Sequence, residues 1–358
     1  VIFASNLHGP DDTLDPILGT STIDYSRANT MYNGLIQVWN DMSLHGELAE
    51  EWSVNDDATE YTFKIRKGVS FHNGGELTAA DVVYSMNRHI APGSPSSIKS
   101  FFSNVIEWRA LDKYTVKLNL SSPDADMPFK LTQPQAKIVK KNSMDKWGAG
   151  TGPYTLDSFQ AGVKSVYSRN NNYWRDTGQW LDGMEMTAIT DPNARLNALL
   201  AGSVDMITAI QAKHIKKVES SGNSVLSIPS GLYGGICCLK NTAPGDNDDL
   251  VQGLRYIQDR ERIVRKFLKG QGTVGNDHPI NVAYGADHCS ELPQKAYDPD
   301  KAKYHLNKSG YSEAELYVAP VIGFIEDACL LMQANLKKIG FNLKLKRVPT
   351  DGYWGAVW

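Results

Sequence analysis

His278 and the trio Asp287-His288-Cys289 carry side chains able to hold a divalent metal. All four lie in one long loop, and their spacing matches no standard metal site, so they read as loop residues. Gly270-Gln271-Gly272-Thr273-Val274-Gly275 matches the glycine pattern of dinucleotide-binding turns. That chemistry needs a strand before the glycines and a helix after them, so that a pyrophosphate meets the helix N-terminus. Here a helix is predicted before them, over 262–269, and Gly270 reads as its cap. Gly150-Thr151-Gly152-Pro153 is also glycine-rich, but Pro153 lacks a donor amide and no Gly-Lys-Ser/Thr follows, so a phosphate cradle fails. Neither HExxH nor GxSxG occurs. No catalytic residue, cofactor or metal is assigned, and the chain is not read as an enzyme.

The four cysteines add little. Cys237 and Cys238 are adjacent, point to opposite faces of an extended strand, and do not bridge each other. Cys329 shares a helical face with Ile325, Met332, Leu336 and Ile339, as a small buried hydrophobe would. A Cys289–Cys329 disulfide and a buried thiol both remain open, and no CxxC spacing exists.

The elements that must position any site are marked by their caps. Asp191-Pro192 opens a helix that Gly202 stops, and Asp298-Pro299 opens another that Gly310 closes. Thr78 to Asp81 forms a capping box ahead of Val82, Val83 and Met86. A helix from about Glu326 ends at Gly340, and the alternation Phe341, Leu343, Leu345 then predicts a strand. Alternation also predicts strands at Tyr61-Phe63-Ile65 and Tyr114-Val116-Leu118-Leu120. A strand over 235–239 and a helix over 250–269 flank the polar loop 241–249. Helices and strands mix throughout, without an internal repeat, which is an α/β pattern.

At 358 residues the chain exceeds one ordinary core and implies two or three compact units. A net charge of -3, with no concentrated basic run, argues against nucleic acid as a partner. No stretch approaches the roughly 20 apolar residues of a membrane span. The chain opens on Val1-Ile2-Phe3-Ala4 without a basic segment, so a signal peptide is expected to be absent from it.

One long stretch is more specific. Leu48-Ala49-Glu50-Glu51-Trp52-Ser53, followed by Tyr61-Thr62-Phe63-Lys64-Ile65-Arg66-Lys67-Gly68-Val69-Ser70-Phe71-His72-Asn73-Gly74 and then Leu77-Thr78-Ala79-Ala80-Asp81-Val82-Val83-Tyr84-Ser85, closely resembles the signature of family 5 extracellular solute-binding proteins. These are the dipeptide/oligopeptide-binding components of ABC importers. Thr13-Leu14-Asp15-Pro16, Gly150-Thr151-Gly152-Pro153-Tyr154, Asn171-Asn172-Tyr173-Trp174, the run Arg195 to Asp205 and the run Asp298 to Tyr311 follow in the family's order. Two departures stand out. Val251 occupies the position of a usual arginine, and the chain stops at Trp358, where relatives continue.

The resemblance implies an α/β, periplasmic-binding-protein-like two-lobe fold (type II, cluster C), with an inserted subdomain in lobe 1 and a C-terminally incomplete lobe 2. Lobe 1 would comprise 1–39 and 150–237, the insert 40–149, and lobe 2 238–358. It implies a monomer, periplasmic or extracellular and lipid-anchored, that clamps a peptide-like solute by hinge closure and delivers it to an ABC permease in the membrane. An oligosaccharide, an opine-like conjugate or a metal chelate are alternative solutes, and a sensory or hydrolytic role on the same fold is a further alternative. The acidic residue that captures a peptide's amine would lie beyond Trp358. Candidate ligand contacts are Thr20, Ser21, Thr22 and Tyr25 after the Leu14-Asp15-Pro16 turn, Tyr233 and Gly234 on the approach to the second lobe, and the aromatic group Tyr353, Trp354 and Trp358.

Overall fold

A computed structural model describes residues 1–6, 8–143, 149–228, 231–320, 323–349, 353 and 357. The chain divides into two compact units, Val1–Thr208 and Ala209–Trp358. The lobe boundary expected from the sequence falls later, at 237/238.

Unit 1 runs β1 (Ile2–Ser5), α1 (Thr22–Met31), β2 (Ile36–Val38), β3 (Leu44–Gly46), β4 (Ala49–Val54), β5 (Glu60–Ile65), α2 (Ala79–Ile90), β6 (Val105–Asp112), β7 (Thr115–Leu120), α3 (Met127–Lys130), β8 (Tyr154–Gln160), β9 (Lys164–Arg169), β10 (Gly183–Ala188), α4 (Pro192–Leu200) and β11 (Met206–Ile207). Two sheets organise it. The first has the order β11-β1-β10-β9-β8, with β1 parallel to both its neighbours and β10, β9 and β8 antiparallel. The second, β4-β5-β7-β6, is antiparallel throughout and lies within 49–112 and 115–120.

The alternation in β5 and β7 puts Tyr61, Phe63 and Ile65 on the same buried face as Val116, Leu118 and Leu120. Val82 and Met86 of α2 join that core, and Trp108 stacks on Phe63 at 5.8 Å. A separate core gathers Leu14, Ile23, Met31 and Tyr32 against Tyr154, Tyr167 and Met186 of the first sheet. The Gly150-Thr151-Gly152 turn lies directly against the end of α1. A Cβ on Gly150 would fall 1.9 Å from the Met31 carbonyl oxygen, and one on Gly152 2.5 Å from the Met31 carbonyl carbon. The glycines are there so that two backbones can touch.

Unit 2 contains α5 (Ile215–Ser220), α6 (Asp248–Tyr256), α7 (Arg260–Lys266), α8 (Pro299–Ser309), β12 (Glu313–Val318), α9 (Ile325–Lys338) and β13 (Asn342–Arg347). β12 and β13 pair in parallel, Leu316 opposite Leu345, with α9 as the crossover. Leu250, Ile257, Leu306, Met332, Leu336, Phe341 and Leu343 form its core. Gly253 lets α6 approach α8 closely, since a Cβ there would meet Leu306 Cγ at 2.6 Å.

The capped helices form as read. Asp191 accepts from the Ala194 amide at 2.7 Å and Asp298 from the Lys301 amide at 2.9 Å, and Gly310 ends α8 with φ 79°. Two expectations fail. The helix over 250–269 is broken, because Asp259 caps a new helix by accepting from the Arg262 amide at 3.1 Å. The glycine motif therefore begins beyond the end of α7, where Lys269 and Gly270 both take positive φ. The strand over 235–239 does not form either. It has no ladder partner among the described residues, and Leu239 is 58% exposed. All four cysteines are free thiols, with Cys289 exposed and Cys329 buried on α9, so the disulfide alternative falls.

Candidate functional site

In unit 1 the Leu14-Asp15-Pro16 motif builds a tight turn into α1. Asp15 accepts from the Ile17 amide at 3.3 Å and is paired with Arg88 of α2. The carbonyl of Gly19 accepts from Ser97 Oγ and from Gln135 Nε2, each at 3.0 Å. The Ser97 amide also donates to the Ile17 carbonyl, at 3.0 Å. Two distant segments, around 97 and 135, thus fix a turn that local chemistry alone would leave adjustable.

The candidates Thr20, Ser21, Thr22 and Tyr25 come together at this turn, but they are not equivalent. Ser21 is the N-cap of α1: its hydroxyl donates to Asp24 Oδ2 at 2.9 Å, and the Asp24 amide donates back to it at 3.3 Å. That hydroxyl is engaged in the capping box. Thr20 is exposed, its amide 3.4 Å from Asp24 Oδ2, and Thr22 is exposed in the first helical turn. Tyr25 is half-buried; burial raises its hydroxyl pKa, while a side-chain hydrogen bond from Gln135 and the nearby Asp24 charge act in opposite senses.

The charges beside the turn are neutralised in place. Arg27, fully buried, donates to Asp12 at 2.8 Å and Asp24 at 3.2 Å, lies 3.4 Å from Ser165 Oγ and 3.1 Å from His8 Nδ1, and sits 5.1 Å from the Phe159 ring centre. Burial alone would raise the Asp12 pKa, but the hydrogen bonds from His8 and Arg27 and the Arg27 charge hold it well below the usual carboxylate range. Beneath the turn, His89 is 1% exposed, with Nδ1 2.6 Å from Ser96 Oγ. Burial, aided by the Arg88 charge and opposed by the Gln135 carbonyl, lowers its pKa to about 4.

Other motif residues prove architectural. Glu47 accepts from Asn33 Nδ2 at 2.7 Å and from the Gly34 amide at 2.6 Å. Asn33 Oδ1 in turn accepts from Thr151 Oγ1 at 2.9 Å and Trp174 Nε1 at 3.1 Å. One buried polar cluster therefore ties the 33–47 segment to the glycine turn and to the Asn-Asn-Tyr-Trp motif. Arg195 donates to the carbonyls of Ile189 at 2.6 Å and Thr208 at 3.0 Å, which fixes the start of α4.

In unit 2, Tyr233 is 52% exposed, and a Cβ on its neighbour Gly234 would fall 2.8 Å from Phe324 Cζ. Tyr353 is half-buried, whereas Trp354 and Trp358 lie outside the described residues. The His278 and His288 rings meet at a tilt, their centres 5.5 Å apart, and His288 Nδ1 lies 2.8 Å from the Ile280 carbonyl. Among the described residues no group of three or more side chains is arranged to hold a metal. Gln135 and Ser97, which hold the turn at Gly19, are the residues beside these candidates that sequence reasoning missed. Gln135 stands between Pro134 and Ala136 with no local pattern to mark it.

Residues 43–357 match the model of the family described as bacterial extracellular solute-binding proteins, family 5 Middle. The chain belongs to that family. Family 5 proteins are substrate-binding components of transport, and the chain is similar to the glutathione-binding protein GsiB of Escherichia coli (strain 536 / UPEC), 28% identical over 308 residues. That alignment covers 84% of this chain and 59% of the relative. Among solved structures, the chain resembles AgaA in complex with agropinic acid, from A. tumefaciens R10 (25% identity, TM-score 0.79, 97% of this chain and 72% of that one). It also resembles NikZ from Campylobacter jejuni in complex with Ni(L-His), at 22% identity, TM-score 0.84, and 98% and 74% coverage. DppA from Helicobacter pylori in complex with the peptide STSA gives 22% identity, TM-score 0.81, and 99% and 74% coverage. These likenesses show the expected α/β periplasmic-binding-protein fold of the two-lobe type. No helix among the described residues is long and apolar enough to cross a membrane.

Proposed function

We propose that this family 5 protein captures a peptide-like solute outside the cytoplasmic membrane and delivers it to an ABC permease. Hinge closure of its two lobes around the solute would be the working step. A solute shifts an open–closed equilibrium only by its differential affinity for the two states, so it must touch both lobes in the closed form. Moving a population from 1:99 to 99:1 takes about 5.5 kcal/mol of such difference, within reach of a few hydrogen bonds and one buried ring.

The observation that carries the peptide reading is the wall at 15–25. It offers the exposed side chains of Thr20 and Thr22 and the half-buried Tyr25, while Asp15, Asp24 and Arg27 are already paired. The unit 2 candidates Tyr233, Gly234 and Tyr353 are proposed to supply the opposing contacts. Similarity to AgaA at 25% identity favours an opine-like conjugate as the second reading.

Thermal melting with a di- and tripeptide library, a sugar panel and opines tests this. A true ligand at 100 times its Kd stabilises by about 2.7 kcal/mol. Stabilisation by peptides supports the reading; stabilisation by opines alone reverses the order, and turnover of any stabilising solute removes the binding-protein role.

A further inference from the structure

Gln135 is bonded to the 15–25 turn, and its hydrogen-bonding groups are unevenly used. The residue is 4% exposed. Its Nε2 donates to the Gly19 carbonyl at 3.0 Å, and the Tyr25 ring lies against the same glycine, 3.7 Å from where a Cβ on Gly19 would stand. Rotating the amide by half a turn would set Oε1 against the Gly19 carbonyl oxygen, two acceptors face to face, so the orientation is fixed. Oε1 itself is buried and has no partner among the described residues. A buried amide oxygen left unpaired costs about 1–3 kcal/mol, so such an atom calls for a donor that arrives from elsewhere.

The neighbouring groups define that donor's chemistry. Tyr25, packed against the same Gly19, brings a phenolic hydroxyl able to donate. Thr20 adds an exposed hydroxyl. The nearby charges do not compete, because Asp24 is engaged by the capping box and Arg27, and Asp15 by Arg88. One free acceptor beside one or two O–H donors, with no unpaired charge, complements a secondary amide: its N–H meets the acceptor and its C=O meets a hydroxyl.

We propose that Gln135 and Tyr25 read an uncharged amide group of the solute, Gln135 Oε1 accepting its N–H and the Tyr25 hydroxyl donating to its C=O. A rotation of the half-buried Tyr25 ring would open Oε1 to the incoming group. The inference rests on the solute-binding reading above and narrows it to peptide-bond chemistry on the unit 1 side.

The test uses the full chain and the dipeptide that stabilises it most, alongside the matched depsipeptide, whose ester lacks the N–H. Calorimetric titration of the wild type should show the dipeptide binding about tenfold more tightly. Gln135→Leu should weaken dipeptide binding about tenfold and bring the ratio of the two ligands close to one. Tyr25→Phe should weaken both ligands together, since it removes the donor to the C=O that they share. An unchanged ratio in Gln135→Leu, or equal binding of the two ligands by the wild type, overturns the inference. The wild-type ratio stands even if a variant fails to fold. If no di- or tripeptide binds the wild type, the peptide reading falls with it; if dipeptides bind all three proteins alike, only the Gln135 assignment does.

Discussion

Acidification should destabilise unit 1 through His89. The imidazole is 1% exposed, its Nδ1 is 2.6 Å from Ser96 Oγ, and its pKa falls from 6.5 to about 4 on folding. The sign follows from linkage. Between these two values the unfolded chain takes up a proton that the native protein refuses, so stability present above pH 6.5 is lost progressively as pH falls and is fully lost below pH 4. The whole difference corresponds to about 3 kcal/mol, and about 2 kcal/mol of it is lost between pH 7 and pH 5. Asp12, held low by His8 and Arg27, responds only in stronger acid, so it does not obscure this window. Urea unfolding followed by tryptophan fluorescence from pH 7.5 to pH 4.5 reads the slope. His89→Asn keeps a polar partner for Ser96 but does not titrate, and its stability should fall by about 2 kcal/mol less between pH 7 and pH 5. Parallel curves for wild type and variant would show that His89 does not titrate as its burial requires. Because Ser96 and Ser97 belong to the loop that holds Gly19, the same acid step should loosen the 15–25 turn.

Three further outcomes follow from the packing. Gly150→Ala places a methyl group 1.9 Å from the Met31 carbonyl oxygen, and thermal melting should show a loss of about 3 kcal/mol; a loss below about 0.5 kcal/mol would contradict the close approach. Arg27→Leu leaves Asp12 and Asp24 buried without their cation and should cost about 3–5 kcal/mol in urea unfolding, whereas a neutral effect would mean that the cluster is solvated. Thiol titration should find Cys237 and Cys289 reactive in the native protein and Cys329, buried and pushed up to about 11, reactive only on unfolding; rapid modification of Cys329 would refute its place on the core face of α9.

Much of the fold was legible because its signals are local. Asp191, Asp298 and the Thr78–Asp81 box announce helices through contacts three residues away, and Gly310 ends one through its own backbone angle. The break between α6 and α7 carries a start signal of its own, Asp259 ahead of Arg260 and Glu261, but the apolar periodicity continues across it and hides it. The missing strand over 235–239 has a different cause. A strand exists only through its ladder, and no run of residues states whether a partner will be present. The site divides the same way. The hydroxyl that makes Ser21 a candidate is used by the helix cap, and nothing local marks Gln135, because its contact with Gly19 spans 116 residues of sequence. The glycines at 150 and 152 are legible as a motif, but their reason, contact with the Met31 backbone, appears only in three dimensions.

Small-angle scattering of the full chain, with and without the solute that raises its melting temperature most, addresses capture by closure most directly. Saturation should lower the radius of gyration and sharpen the distance distribution. Superimposable curves at saturating solute would contradict the proposal that closing around a guest is what this protein does.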